Sequence, residues 1–305
     1  MRLSWNSYRM TPITEVAGRR VPLSNLDKVI HPASGTTKGE ILHYYATVAG
    51  AILPHLRERP VSFLRYPDGP AGALFFTKNP PPGTPSWVRT VPVPHTDDPG
   101  ARQVVLDGLA PLMWAANLVV EFHTPQWTAA EPGVADRLVL DLDPGEPAGL
   151  PECCAVALWL RERLAADGLD AYAKTSGAKG LHLLVPIAPT PSAAVSAYAK
   201  GLALAGEAGL PELVLHRMKR ALRPGKVFVD HSQNAAAKTT ATPYTLRARA
   251  LPTVSTPVTW DEVESAARGG EGLVFLPDDI AGRLARHGEL LAPLTDPGRD
   301  RPPLP

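Results

Sequence analysis

Cysteine is almost missing from this chain: its 305 residues hold two, Cys153 and Cys154, side by side. Neighbouring cysteines rarely close a disulfide on each other, and no spaced partner completes a zinc pattern, which argues against a disulfide scaffold or a thiolate metal site. They read as reduced core residues of a cytosolic protein. Net charge is nearly missing too, at +1, so contact with nucleic acid has to come from local basic patches. No apolar run reaches the ~18 residues of a membrane helix, and the start carries no signal-peptide pattern, so neither a membrane span nor secretion is expected. Proline is abundant instead: its 34 residues imply rigid, loop-rich connections and argue against a helical bundle.

This length buries a sizeable core, as one large domain or two small ones. Residues 1–20 read as a flexible arm, 21–290 as one α/β domain of two interlocked halves, and 291–305 as a disordered Pro-rich tail. Thr37-Lys38-Gly39-Glu40 has capping-box spacing and opens a helix with Ile41, Tyr44, Tyr45, Val48 and Ile52 on one face, ending near Pro54. Strands are expected over 61–66, 73–78 and 226–230, and helices over 109–119, 151–164 and 191–208. A second capping box stands at Thr259–Glu262. If 73–78 is a strand, one of Phe75 and Phe76 has to point inward.

The chemistry centres on Asp141-Leu142-Asp143, at the end of the alternating run Arg137-Leu138-Val139-Leu140. Residues two apart on a strand share a face, so both carboxylates point one way, about 6–7 Å apart, with Leu138, Leu140 and Leu142 opposite. Pro144-Gly145 then stops the strand at an exposed rim. Asp230 closes another strand, sharing a face with Lys226 and Phe228. Three carboxylates balance two divalent ions and leave positive charge for a triphosphate. The plainer alternative is a pair of solvated strand ends before turns.

Ser176-Gly177-Ala178-Lys179-Gly180-Leu181-His182 is the second signal. Its glycines let backbone N–H groups approach an anion, Ser176 and Lys179 add a hydroxyl and a mobile charge, and His182 can sit above the same anion. The spacing is not that of a P-loop; the plainer alternative is a tight hairpin. Basic residues concentrate in His216–Lys226, which contains Arg223, and at Arg247 and Arg249. Lys28 and Lys38 flank the first helix start, whose amides also favour phosphate. Phe75 and Phe76 beside Lys78 offer a stacking platform for bases.

Taken in order, Val21–Val29, Arg65-Tyr66-Pro67-Asp68-Gly69, Phe75-Phe76-Thr77-Lys78, Glu121–Trp127, Asp141-Leu142-Asp143-Pro144, Thr175–His182 and Val229–Asn234 resemble the polymerase domain of bacterial non-homologous end-joining DNA ligase D, within the archaeo-eukaryotic primase superfamily. The resemblance runs from about Val21 to Val263. It implies an α/β primase-type core with two antiparallel sheets and flanking helices. It also implies a nucleotidyltransferase that extends 3′-hydroxyls at gaps and double-strand breaks, preferring ribonucleotides. By resemblance Asp141, Asp143 and Asp230 hold two divalent ions, Mn2+ or Mg2+, and carry catalysis. Ser176, Lys179, His182, Gln233, Lys238, Arg247 and Arg249 bind the nucleotide, Asn25, Lys28 and Lys38 grip a 5′-phosphate, and Phe75 and Phe76 meet the template. His123, Lys78 and Arg223 fall near the site without an assigned role.

The implied partners are DNA ends and 5′-phosphorylated gapped duplex, nucleoside triphosphates, Ku and a separate ATP-dependent ligase, in a bacterial, nucleoid-associated cytoplasmic setting without a membrane. No ligase or nuclease domain accompanies the module, so a stand-alone form is expected. Thr77 and Asn79 depart from the Gln and His of many relatives. The alternatives are a de novo primase and a non-catalytic end-bridging module; Asp-Leu-Asp-Pro-Gly also bears a faint likeness to the haloacid-dehalogenase phosphatase motif, without its Thr.

Overall fold

The alternation around Asp141 produces one of the two longest strands of a computed structural model that describes residues 13–93 and 100–305, Val134–Pro144. It runs antiparallel between Leu181–Pro191 on one side and Val227–Asp230 on the other. Tyr172–Thr175 and Pro257–Val258 extend this six-stranded sheet beyond the first neighbour, and Val214–Leu215 pairs in parallel beyond the second. Helices Leu150–Ala166 and Ser192–Gly209 cover one face and bury Leu138, Leu140, Leu142, Val227 and Val229 with Cys153 and Cys154, both free thiols. The odd-numbered face of the central strand carries Arg137, Val139, Asp141 and Asp143. Its apolar part is small: Val139 packs with Leu184, Leu291 and Leu294. That division leaves the carboxylates at one end of a face that helices do not cover.

The second sheet contains Thr240–Ala241, Val120–Thr124, Pro60–Arg65, Arg102–Val105 and Thr90–Pro92 in that order, with the short Phe75–Thr77 paired to Pro60–Arg65. Its core joins Phe63 and Phe122 to Tyr45, Ile52 and Trp114 from helices Lys38–Thr47, Ala49–Leu56 and Leu109–Ala116. The Thr37/Glu40 capping box forms as read, but the helix it opens ends at Thr47 and a second one continues through Pro54 to Leu56. The paired strands are antiparallel apart from the Val214–Leu215 edge, so the expected two-sheet α/β architecture is present.

Three expectations need correction. Residues 291–305 are not a free tail: Leu291 and Leu294 are buried, Ala188 N–H donates to Pro302 O at 2.9 Å, and Arg301 meets the Asp136 carboxylate at 3.3 Å. Proline there shapes a docked strap, because Leu291, Leu294 and Leu304 supply apolar anchors that composition alone hides. Ile13–Val16 and Arg19–Pro22 pair as a hairpin, so the end of the expected arm is ordered; residues 1–12 lie outside the described residues. Phe75 and Phe76 are both half-exposed, at 49% and 52%, because a three-residue edge strand has no layer to bury either face. Among the described residues no helix is long and apolar enough to cross a membrane.

Candidate active site

Strand register assembles the acidic centre. Asp141 lies directly opposite Asp230 on one neighbouring strand and opposite His182 on the other, and Asp143 lies opposite Phe228. Opposed residues on adjacent strands stand about 4.5–5.5 Å apart at Cβ, where like charges repel. Asp143 shows the strain: burial, then the charges of Asp141 and Asp230, push its carboxyl up to about 6, against the pull of Arg223 and Arg247. Burial also works against ionisation of Asp141, yet His182, bonded at 3.2 Å, holds it below the usual range. His182 is itself shifted down, by burial and by Lys174. We therefore place the charge on Asp141, with a neutral His182 donating from Nε2.

Asp230 is fixed from the following turn, His231–Asn234. Its Oδ1 accepts from Ser232 N–H at 3.0 Å and Ser232 Oγ at 2.6 Å, and its Oδ2 accepts from Gln233 Nε2 at 2.9 Å. Asn234 staples that turn to the central strand, bonding both N–H and C=O of Val139 at 2.8 and 2.7 Å. Gln233 thus faces the site and orients a carboxylate in it.

The glycine hairpin closes the next side. Ser176 Oγ accepts from the N–H groups of Ala178 and Gly180, both at 3.1 Å, so this hydroxyl shapes the loop. Gly180 fits only without a side chain: a Cβ there would lie 2.1 Å from the Leu142 carbonyl oxygen. Gly180→Ala is expected to cost about 3 kcal/mol, read as a lowered denaturant midpoint, because backbone has to move between the two acidic-strand residues and the loop. Lys179 is exposed and pairs with Glu146 across the rim at 2.5 Å. Arg247 bonds the Ser176 carbonyl and, through Nε, Glu121 at 2.9 Å.

Glu121 is the hub that sequence reading missed as a site residue. It is almost fully buried and accepts from His123 Nε2 at 2.9 Å and from Ala248 N–H at 2.6 Å as well as from Arg247. Burial opposes its charge, but His123 and Arg247 lower the carboxyl to about 2. An acid in the apolar strand Val120–Thr124, sharing a face with His123, was the available signal. Lys174 was missed too: 1% exposed and opposite His182, it donates to Ser255 Oγ at 2.6 Å, and burial drives its pKa well down.

Two clefts meet at Asp143. The inner one, about 210 Å³, is lined by Asp141, His182, Gln233, Arg247 and His123. The outer one, about 450 Å³, is lined by Lys179, Arg220, Arg223, Glu146 and Arg249. Arg223 lies over the Phe228 ring at 4.1 Å, on the strand face that carries Asp143. Arg220 was legible only as part of a basic run. Lys238 is exposed and lines neither cleft. Phe76 stands edge-on to His123 at 6.0 Å, and Lys78 donates to Ala237 O at 3.1 Å.

A separate basic pocket forms at the first helix. Lys38 N–H donates to Lys28 O at 2.8 Å, and Lys28 N–H to the carbonyl of Asn25, which is held at φ 53°. Lys28 Nζ donates to Pro67 O at 2.7 Å and to Asp68 at 2.8 Å. Lys38 is buried with only Ser24 Oγ at 3.3 Å, and burial and Lys28 bring it down to about 8. An under-compensated buried ammonium beside an exposed one is suited to an arriving anion.

Among the described residues, no three His, Cys, Asp or Glu side chains are gathered closely enough to enclose a metal ion. The donor set still fits a hard divalent cation. Asp141, Asp143 and Asp230 present carboxylate oxygens on one face, their repulsion is what a cation relieves, and Oδ2 of Asp230, with a single donor, keeps a lone pair. Ions of the magnesium type take one or two carboxylates and complete their shell with water and substrate phosphates, so a fully closed protein cage is not required.

A family model for the LigD primase-polymerase domain matches residues 37–291. The multifunctional non-homologous end joining protein LigD of Mycolicibacterium smegmatis is 42% identical over 280 residues, covering 90% of this chain and 36% of that protein. The bifunctional non-homologous end joining protein LigD of Bacillus subtilis is 29% identical over 272 residues, covering 88% of this chain and 43% of that protein. The chain thus spans well under half the length of these relatives. The solved polymerase domain from Mycobacterium tuberculosis ligase D in complex with DNA superposes with a TM-score of 0.85 at 41% identity, over 90% of this chain and 98% of that one. With most of its length matched by the family model, and with that agreement of fold, this chain belongs to the LigD primase-polymerase domain family.

Proposed function

We propose that this protein is a template-directed nucleotidyltransferase that extends a 3′-hydroxyl at gaps and broken DNA ends, in end-joining repair. The observation that carries this reading is the register that sets Asp141 between Asp230 and His182, beside a cleft whose far wall is Arg247. Asp141, Asp143 and Asp230 would hold two divalent ions, manganese or magnesium, which lower the pKa of the attacking hydroxyl and neutralise the transferring phosphate. The chain's own residues orient the triphosphate: Arg247 from its Glu121 anchor, His182 and Gln233 across the inner cleft, and Lys179 from the exposed rim. Lys28, Lys38 and Asn25 take the 5′-phosphate on the far side of a gap. Phe75 and Phe76, apolar and exposed, stack on nucleic-acid bases. A preference for ribonucleotides, Ku and a separate ATP-dependent ligase as partners, and a nucleoid-associated cytoplasmic setting complete the proposal.

Filling of a one-nucleotide gap tests it, comparing ribonucleotides with deoxynucleotides in manganese and 5′-phosphorylated with unphosphorylated gaps. Single-nucleotide insertion, faster with ribonucleotides and with the phosphate, is the expected result. Dinucleotide synthesis without a primer would instead mark a de novo primase, and DNA bridging with no insertion a non-catalytic module. Lys38→Met separates recognition from folding. The folded pKa of Lys38 lies below its unfolded value, so its charged form penalises the fold fully below about pH 8, and the penalty fades as pH rises further. Lys38→Met is therefore expected to melt a few degrees higher at pH 7, to lack the wild-type gain in stability above pH 8, and to lose the preference for phosphorylated gaps.

A further inference from the structure

The loop Arg247–Thr253 stands between the two binding regions and is pinned to both. On the nucleotide side, Arg247 bonds the Ser176 carbonyl and Thr253 Oγ1 donates to Gly177 O at 2.5 Å. On the other side, Arg249 O accepts from Nδ1 of His31 at 2.9 Å. His31 is fully buried and ends the strand Val29–His31, which follows Lys28 directly. Burial holds its pKa down, so it is a neutral ring with its proton on Nδ1.

The opposite edge of His31 meets the loop that Lys28 grips. Tyr66 stands edge-on to the imidazole at 5.8 Å, and Tyr66 Oη and His31 Nε2 are both buried without a hydrogen-bond partner. The next two residues, Pro67 and Asp68, are the ones to which Lys28 Nζ donates. Gly69 presses on the same strand so closely that a Cβ would lie 2.5 Å from Ile30 O. Lys28, the 66–69 loop, His31 and the Arg247–Thr253 loop form one contiguous chain of contacts.

We propose that His31 is a positioning residue that couples occupancy of the Lys28/Lys38 pocket by a DNA 5′-phosphate to the grip of Arg247 and Arg249 on the incoming nucleotide. A phosphate captured by Lys28 competes with Pro67 O and Asp68 for its ammonium group. The freed loop is the one that carries Tyr66, whose hydroxyl then satisfies His31 Nε2 and firms the His31–Arg249 bond. This inference rests on the nucleotidyltransferase reading. Coupling of this kind is reciprocal and is worth about 5- to 10-fold in affinity.

The test is single-turnover insertion into 5′-phosphate and 5′-hydroxyl gaps across a nucleotide titration, for wild type, His31→Phe, His31→Asn and Tyr66→Phe. Wild type is expected to bind nucleotide about 5- to 10-fold more tightly on the phosphorylated gap. His31→Phe brings that ratio to one while still binding phosphorylated gaps preferentially, and Tyr66→Phe lowers it. His31→Asn, whose amide N–H replaces Nδ1–H, restores most of it, and Tyr66→Phe, which removes only one hydroxyl, remains informative if His31→Phe fails to fold. An unchanged ratio in His31→Phe or in Tyr66→Phe, with nucleotide binding weakened equally on both gaps, would show merely structural residues and overturn the proposal. A wild-type ratio of one would also overturn it, leaving the insertion reading intact; absence of insertion on every gap would defeat that reading instead.

Discussion

Asp143→Asn is expected to abolish nucleotide insertion while raising the stability of the metal-free protein at neutral pH. Asp143 titrates near 6 in the fold because burial, Asp141 and Asp230 all resist its charge. Its folded pKa is above the unfolded one, so the fold binds the extra proton and the wild type gains stability as pH falls from about 7 toward 4. At pH 7.5 the ionised carboxylate costs about 2 kcal/mol, which the neutral amide removes. Thermal melts of both proteins with EDTA should differ clearly at pH 7.5, by about half as much at pH 5, and little once the pH falls below the unfolded pKa near 4. Insertion should fall on the order of 10³-fold or more, because the amide carries no charge to hold a divalent ion. A residue that weakens the empty fold and is indispensable to the reaction is what a cation site built from opposed carboxylates requires.

Glu121→Ala is the second large effect, of opposite sign for stability. Removing one partner of a buried charge cluster leaves Arg247 and the Ala248 N–H without their acceptor, a loss of about 3–5 kcal/mol. The carboxyl is lowered to about 2 in the fold, so its contribution is present above the unfolded pKa near 4.5 and lost as pH falls toward 2. Denaturant midpoints should separate wild type from Glu121→Ala widely at pH 7 and converge below pH 3. The variant that folds should also show a raised nucleotide KM, since Arg247 loses its anchor, with a smaller change in kcat. Glu121→Gln, which keeps an oxygen for Ala248 N–H, should fall between.

The acidic centre was legible because strand periodicity is strict. Two-residue alternation put Asp141 and Asp143 on one face and Leu138, Leu140 and Leu142 on the other, and the buried set matches. The sequence could not show which strands flank them: the pairing of Asp141 with both Asp230 and His182 is a matter of long-range register. Capping boxes at Thr37 and Thr259 are local signals and both formed. The helix Pro277–His287 went unread although Pro277, Asp278 and Asp279 mark its first turn. Glu121 hides because a buried acid in an apolar strand acquires meaning only from Arg247, 126 residues away. The 291–305 strap misleads for the converse reason: its proline content suggests disorder, while a few apolar and arginine anchors fix it.

The chemistry proposed for the three carboxylates depends most directly on where divalent ions bind. Crystals soaked with Mn2+ and a nonhydrolysable nucleoside triphosphate can be measured at the manganese absorption edge. Anomalous peaks touching the carboxylates of Asp141, Asp143 and Asp230, with triphosphate oxygens beside Arg247 completing the shells, are the expected result. Manganese bound elsewhere, with the three carboxylates free of metal while the triphosphate is in place, would contradict it.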